Sequence, residues 1–92
     1  MDKVIARTIL ENIKLDKANM EYRFELPAGT QAITVKLRET DDLIQVALVT
    51  GDETTYANLA KEFPEFSQDA RSGELFFRSQ KGGKTVEVLI KI

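Results

Sequence analysis

The sequence predicts an α+β domain: a small, mostly antiparallel sheet of about five strands with one long, proline-interrupted helix packed on it. Three observations predict this class. Residues 20–26 and 33–38 alternate apolar and polar side chains, the period of half-buried strands. Tyr56, Leu59, Ala60, Phe63, Phe66 and Ala70 recur at spacings of three and four, the period of an amphipathic helix. Thr40-Asp41-Asp42 and Lys81-Gly82-Gly83 have the length and residue types of hairpin connections. The 92 residues suffice for one domain, 1–92.

At the N-terminus Ile5, Ile9 and Ile13 stand four apart, with Ala6 and Leu10 beside them, which suggests a short amphipathic helix over 4–14. β-Branched Val4, Ile5, Thr8 and Ile9 weaken a helix and leave a strand at 8–15 as the competing assignment. Met20, Tyr22, Phe24 and Leu26 alternate with Glu21, Arg23 and Glu25 as a strand with one buried face. Pro27, Ala28, Gly29, Thr30 and Gln31 break the pattern as a loop. Ile33, Val35 and Leu37 alternate with Thr34, Lys36 and Arg38 as a second strand. Leu43 to Val49 is apolar on both parities, the pattern of a central strand that is either covered on both sides or presents an apolar face to a partner. Asp52 suits an N-cap and Glu53 the first turn of the helix that follows. Pro64 breaks or kinks that helix, and Arg71 and Gly73 supply its C-terminal signals. Leu75, Phe76 and Phe77 begin a fourth strand. Val86, Val88, Ile90 and Ile92 mark a final one, whose apolar edge is blunted only by Lys84, Glu87 and Lys91.

Composition excludes several functions. The chain carries 13 Lys+Arg against 15 Asp+Glu, a formal charge of −2, with no His and no Cys. It therefore has no thiolate nucleophile, no imidazole base, no disulfide and no zinc site of the usual ligand types. The near-neutral balance argues against nucleic acid, which needs clustered cations. No apolar run approaches the ~18 residues that span a bilayer, and the N-terminus lacks the basic-then-apolar form of a signal peptide. Charge is nevertheless segregated: residues 1–38 carry +2, residues 39–75 carry −7 and residues 76–92 carry +3. The acidic middle is a solvated face or one side of an interface with a basic partner.

Candidate chemistry is sparse. Asp41-Asp42 has the residue types of half a metal site, but adjacent carboxylates in a short stretch are ordinary turn formers. Ser67, Ser72 and Ser79 have no His to activate them. Lys81-Gly82-Gly83-Lys84 is basic and glycine-rich, yet a strand and not a helix follows it, so it does not fit a phosphate cradle. Tyr22 and Phe24 share the parity of Met20 and Leu26 and belong to a core before a base-stacking platform. No cofactor and no enzymatic activity are expected.

The chain resembles the C-terminal domain of the type III secretion needle-length regulators and their flagellar hook-length counterparts, the molecular-ruler proteins. The likeness lies in Ile9-Leu10-Glu11-Asn12-Ile13 ahead of Glu21-Tyr22-Arg23-Phe24-Glu25-Leu26. It continues in Leu26-Pro27-Ala28-Gly29-Thr30 leading into Ile33-Thr34-Val35-Lys36-Leu37-Arg38. Asp42 to Leu48 follows after an acidic turn, and Leu59-Ala60-Lys61-Glu62-Phe63-Pro64-Glu65-Phe66 is similar to the family's proline-split helix. Ala28 and the polar Asp69-Ala70-Arg71-Ser72-Gly73 depart from the family pattern. The resemblance implies a non-enzymatic virulence function: a switch of export substrate specificity made by contacting the cytoplasmic domain of the self-cleaving export-gate protein, with other secretion-apparatus proteins as further partners. It also implies a protein of the bacterial cytoplasm that leaves through the type III apparatus without a cleaved signal peptide. The expected partner-binding residues are Leu26, Pro27, Gly29 and Thr30 of the loop, Leu43, Gln45 and Val49 of the two-faced strand, and Asp52 and Glu53 as a steering rim. Two other expectations stand beside it: an unrelated α+β protein-interaction module, dimeric through an edge strand, and a metal-dependent hydrolase using Asp41, Asp42, Asp52 and Glu53.

Overall fold

Alternation with a period of two, not of 3.6, governs the chain throughout. The computed structural model describes residues 7–39 and 41–92, and these form eight strands and no helix. The strands are β1 (Thr8–Leu15), β2 (Glu21–Glu25), β3 (Ala32–Leu37), β4 (Ile44–Thr50), β5 (Glu53–Leu59), β6 (Glu65–Asp69), β7 (Glu74–Ser79) and β8 (Lys84–Lys91).

Each strand pairs antiparallel with its mirror image in chain order: β4 with β5, β3 with β6, β2 with β7 and β1 with β8. The chain is thus one long hairpin with its tip at Gly51-Asp52. Gly51 takes φ +60° there, as the first central position of a two-residue type II′ turn requires. The hairpin rolls up because β8 also pairs with β3, and β7 with β4. The outcome is two four-stranded sheets, β1-β8-β3-β6 and β2-β7-β4-β5. This order is that of a jelly roll.

The inward side chains of both sheets make one core. Leu15, Ile33, Val35, Val86, Val88 and Ile90 come from the first sheet, and Ile44, Val46, Leu48, Leu59, Leu75 and Phe77 from the second; all are fully buried. At one open side of the sandwich the Gln68 side-chain amide donates to Thr55 Oγ1 at 3.4 Å, tying β6 to β5. The chain ends are also tied: the Arg7 N–H donates to the Ile92 carbonyl at 3.0 Å, and the Ile92 N–H to that of Arg7 at 2.8 Å.

The α+β expectation is therefore corrected to all-β. The long helix is β5, a turn and β6. Thr55, Ala57 and Leu59 face inward with a period of two. Two residues of the expected helical stripe point to solvent instead, Tyr56 at 79% and Phe63 at 72% exposure. Ala60 and Phe63 exchange both backbone hydrogen bonds around Lys61-Glu62, and Pro64 precedes β6, where a strand tolerates proline. β-Favouring Thr54, Thr55 and Tyr56 start this segment, and sheet pairing overrides the coincidental helical spacing. Asp52 and Glu53 accordingly sit in the hairpin tip and cap no helix.

Other expectations change as well. The short helix expected over 4–14 is corrected to the competing strand at 8–15, which is β1; the part of 4–14 before Arg7 lies outside the described residues. The stretches containing Asp41-Asp42 and Lys81-Gly82-Gly83 are crossings between sheets, since β3 and β4, and likewise β7 and β8, lie in different sheets. The final strand β8 is no edge: β1 and β3 flank it.

Gly73 shows how tightly one crossing is held. Its φ is +129°, and a Cβ there would lie 2.2 Å from the Val49 carbonyl oxygen. At Gly51, with φ +60°, nothing lies within 4 Å of a Cβ. Gly73→Ala is expected to destabilise the fold by about 2–4 kcal/mol, against about 1 kcal/mol for Gly51→Ala, in urea unfolding. Equal costs at the two positions contradict this packing.

Candidate functional site

The outer face of the β2-β7-β4-β5 sheet carries three rows of side chains, fixed by the register. One row is Glu21, Arg78, Gln45 and Asn58; the next is Arg23, Phe76, Ala47 and Tyr56; the third is Glu25, Glu74, Val49 and Thr54. In the middle row the smallest side chain, Ala47, lies between two aromatics. Phe76 and Tyr56 stand on strands two apart, about 9–10 Å from backbone to backbone. That drop in height makes a hollow of about 260 Å³, lined by Phe76, Ala47, Tyr56, Gln45, Asn58 and Arg78 among others. A smaller hollow of about 90 Å³ adjoins it, sharing Gln45 and Arg78 and adding Asn19, Leu43 and Gln80. Together they form a trough that runs along the strands.

On the β2 side of the sheet two ion pairs form across β2 and β7. Arg78 lies 3.9 Å from Glu21, and the Arg23 guanidinium donates a hydrogen bond to the Glu74 carboxylate. That hydrogen bond and the adjacent negative charge raise the Arg23 pKa. These pairs are solvent-exposed and contribute little to stability. By contrast, none of the side-chain amides of Asn19, Gln45, Asn58 and Gln80 has a hydrogen-bond partner among the described residues.

A second polar cluster lies at the end of the sandwich formed by the β1–β2, β3–β4, β5–β6 and β7–β8 connections. Asp42 is only 5% exposed there. Its carboxylate accepts hydrogen bonds from the Leu43 N–H (2.7 Å), the Lys81 N–H (3.2 Å) and the Ser79 hydroxyl. Ser79 Oγ in turn accepts the Gly82 N–H at 2.8 Å. Burial opposes the Asp42 charge, yet these donors, with Lys84 nearby, hold its pKa below the ordinary value. Asp41 is exposed, and its pKa is lowered by the hydrogen bond from Lys84 Nζ, 2.9 Å away. The cluster joins β4, β7 and the turn into β8, which gives both aspartates structural work. No group of three or more carboxylates that would hold a metal ion occurs among the described residues.

The expected partner-binding residues do not assemble into one patch. Leu26 and Thr30 are buried, and the Thr30 hydroxyl donates to the Pro27 carbonyl at 2.6 Å, so their loop is folded onto its own backbone. Pro27, Gly29, Val49, Asp52 and Glu53 lie toward the end of the sandwich that holds the hairpin tip. Leu43 is at the opposite end, about 20 Å from Val49 by strand rise. Gln45 lies in the trough and Leu43 lines its smaller part. Sequence reasoning missed Tyr56, Phe76, Ala47, Asn58 and Arg78. Helical spacing puts Tyr56 in the expected helix's apolar stripe, whereas the alternation of Thr55, Ala57 and Leu59 is the signal that places it on the opposite face. In comparisons with known proteins, no family model and no curated protein matches the chain.

The Asp42 cluster has a measurable consequence. Its native pKa is below its unfolded value, so the unfolded chain takes up the proton first. The stability it contributes is full above about pH 4 and falls away as pH drops through the native value. Asp42→Asn is expected to cost about 1–3 kcal/mol at pH 7 and to flatten the acid limb of a stability–pH curve from urea unfolding. An unchanged acid limb would show that the carboxylate does not carry this dependence.

Proposed function

We propose that the protein is a non-catalytic binding module whose recognition surface is the trough on the outer face of the β2-β7-β4-β5 sheet. The observation that carries this is Tyr56, 79% exposed beside Ala47 and across from Phe76. The fold buries little of the Tyr56 ring, and exposed aromatics beside convergent polar groups mark binding surfaces. The outer face of the other sheet differs. It interleaves charges, as in the row Asn12, Glu87, Lys36 and Glu65, and the hydroxyls of Thr34 and Ser67 satisfy each other at 2.8 Å.

A non-catalytic role is favoured by the chemistry of the carboxylates. Asp42 is consumed by three hydrogen bonds, Asp41 pairs with Lys84, and Glu74 pairs with Arg23. The specificity-switch expectation shares this non-catalytic character. Its docking residues, however, lie at opposite ends of the sandwich, and its proline-split helix is a pair of strands, so the geometry favours no export-gate contact over another. Dimerisation through the final strand lacks the free edge it needs, because β8 is paired on both sides.

Dilute organic solutes that seek binding surfaces, such as isopropanol and phenol, test the reading by ¹⁵N NMR. Shift changes are expected to centre on Ala47, Asn58, Phe76 and Gln45, and to fade in Ala47→Leu, whose larger side chain fills the floor while pointing away from the core. The urea midpoint of that variant is expected to stay within about 0.5 kcal/mol of the parent. Shift changes centred on the other sheet or on the loop ends overturn the proposal.

A further inference from the structure

The structure assigns a ligand class to the trough: we infer that it holds a chain of uncharged sugar rings lying along the strands. This rests on the trough being the binding surface. Three properties select the class. First, the trough presents both halves of sugar chemistry. A pyranose ring has faces rich in C–H bonds and an edge of hydroxyls. Phe76 and Tyr56 line the trough on either side of the Ala47 floor, and aromatic rings are surfaces on which a sugar ring packs by dispersion and C–H contacts with the π-system. Gln45 and Asn58 lie in the next row, so a ring seated over Ala47 turns its hydroxyls toward them.

Second, each side-chain amide supplies a carbonyl acceptor and an NH₂ donor, matching hydroxyls that both donate and accept. Asn19, Gln45, Asn58 and Gln80 are exposed and their side chains bond no other group among the described residues, so a ligand exchanges with solvent for both functions; the first three occupy different positions across the trough. Third, the charge is balanced. Glu21 and Arg78, the charged side chains that line the trough, face each other, so neither sign is in excess there to draw an anion or a basic peptide; Glu25, opposite Glu74 in the third row, lies outside the lining. Size argues the same way: roughly a dozen residues line the trough, whereas a stable protein partner covers about 20–30 residues a side. The smaller hollow continues from the aromatic slot toward Leu43, so the site is elongated and accommodates successive rings.

Titration of the ¹⁵N-labelled protein with hexasaccharides decides the matter. Cellohexaose, xylohexaose, mannohexaose and maltohexaose serve as neutral probes, and a heparin hexasaccharide as the charged one. At least one neutral hexasaccharide is expected to shift Ala47, Asn58, Gln45 and Phe76. Its affinity is expected to fall about tenfold or more in Tyr56→Ala, in Phe76→Ala and in Gln45→Ala, and to be lost in Ala47→Leu. Thr34→Ala, on the opposite face, is expected to leave it unchanged. Far-ultraviolet circular dichroism and urea midpoints separate lost contacts from lost folding, and Ala47→Leu keeps the test intact should Phe76→Ala unfold. Saturating shifts from the heparin fragment alone overturn the neutral class. No response to any hexasaccharide, with the organic solutes still mapping to the trough, overturns the sugar assignment and leaves the binding surface standing. Organic solutes mapping elsewhere overturn both.

Discussion

The register of β4 against its two neighbours is the constraint on which both the core and the trough depend. Backbone pairing places Ala47 opposite Phe76 on one side and Tyr56 on the other, and places Val46 opposite Phe77 and Ala57. Because side chains alternate, the first row is outside and the second inside. A slip by one residue would bury Gln45 and expose Val46 and Leu48, which is costly enough to hold the outer row in place. The surface arrangement is therefore enforced from within: hydrophobic burial under the sheet sets the spacing of aromatic and amide groups above it.

The rolled-hairpin topology supplies the rest of the frame. Pairing strands by mirror position leaves only the Gly51-Asp52 connection within a sheet, and every other connection crosses the sandwich. Crossings need anchoring, since their backbone groups cannot all pair in a ladder. At one end the anchor is Asp42, whose acceptors gather donors from the β3–β4 and β7–β8 crossings. At the other it is backbone contact: Leu26 donates to the Gly73 carbonyl at 3.0 Å and Ala70 to that of Gln31 at 3.0 Å. Buried charge is tolerated at Asp42 because three donors, the Leu43 and Lys81 N–H groups and the Ser79 hydroxyl, converge on its carboxylate.

Much of the strand content was legible in the sequence, and the failures have identifiable causes. Residues 20–26 and 33–38 alternate cleanly and overlap β2 and β3, and 86–92, which alternates except at Leu89, overlaps β8. The segment from Glu53 to Ala70 satisfied two periodicities at once. Apolar residues at 56, 59, 63 and 66 fit a helical stripe, while 55, 57 and 59 fit a strand; Thr55 and Ala57 are too weakly apolar to announce themselves. Partner strands decided between the two, and strand pairing is not a local property. The same holds for the candidate site. Gln45 and Leu43 were singled out because β4 is apolar on both parities, but that parity says nothing of which strands lie alongside. Tyr56 and Phe76, twenty residues apart in the sequence, meet across β4 only through long-range pairing.

The paired backbones of Arg7 and Ile92 close the first sheet where the described chain begins and ends. Ends held side by side let a domain be spliced into a surface loop of another protein, or strung in tandem, with little distortion of either. They also make the position of the break in the polypeptide arbitrary in topological terms. A circular permutant of residues 7–92 opened at the exposed Gly51-Asp52 turn, with Ile92 joined to Arg7 by a short glycine-rich bridge, would retain every ladder while exchanging the most local pairing for the most remote one.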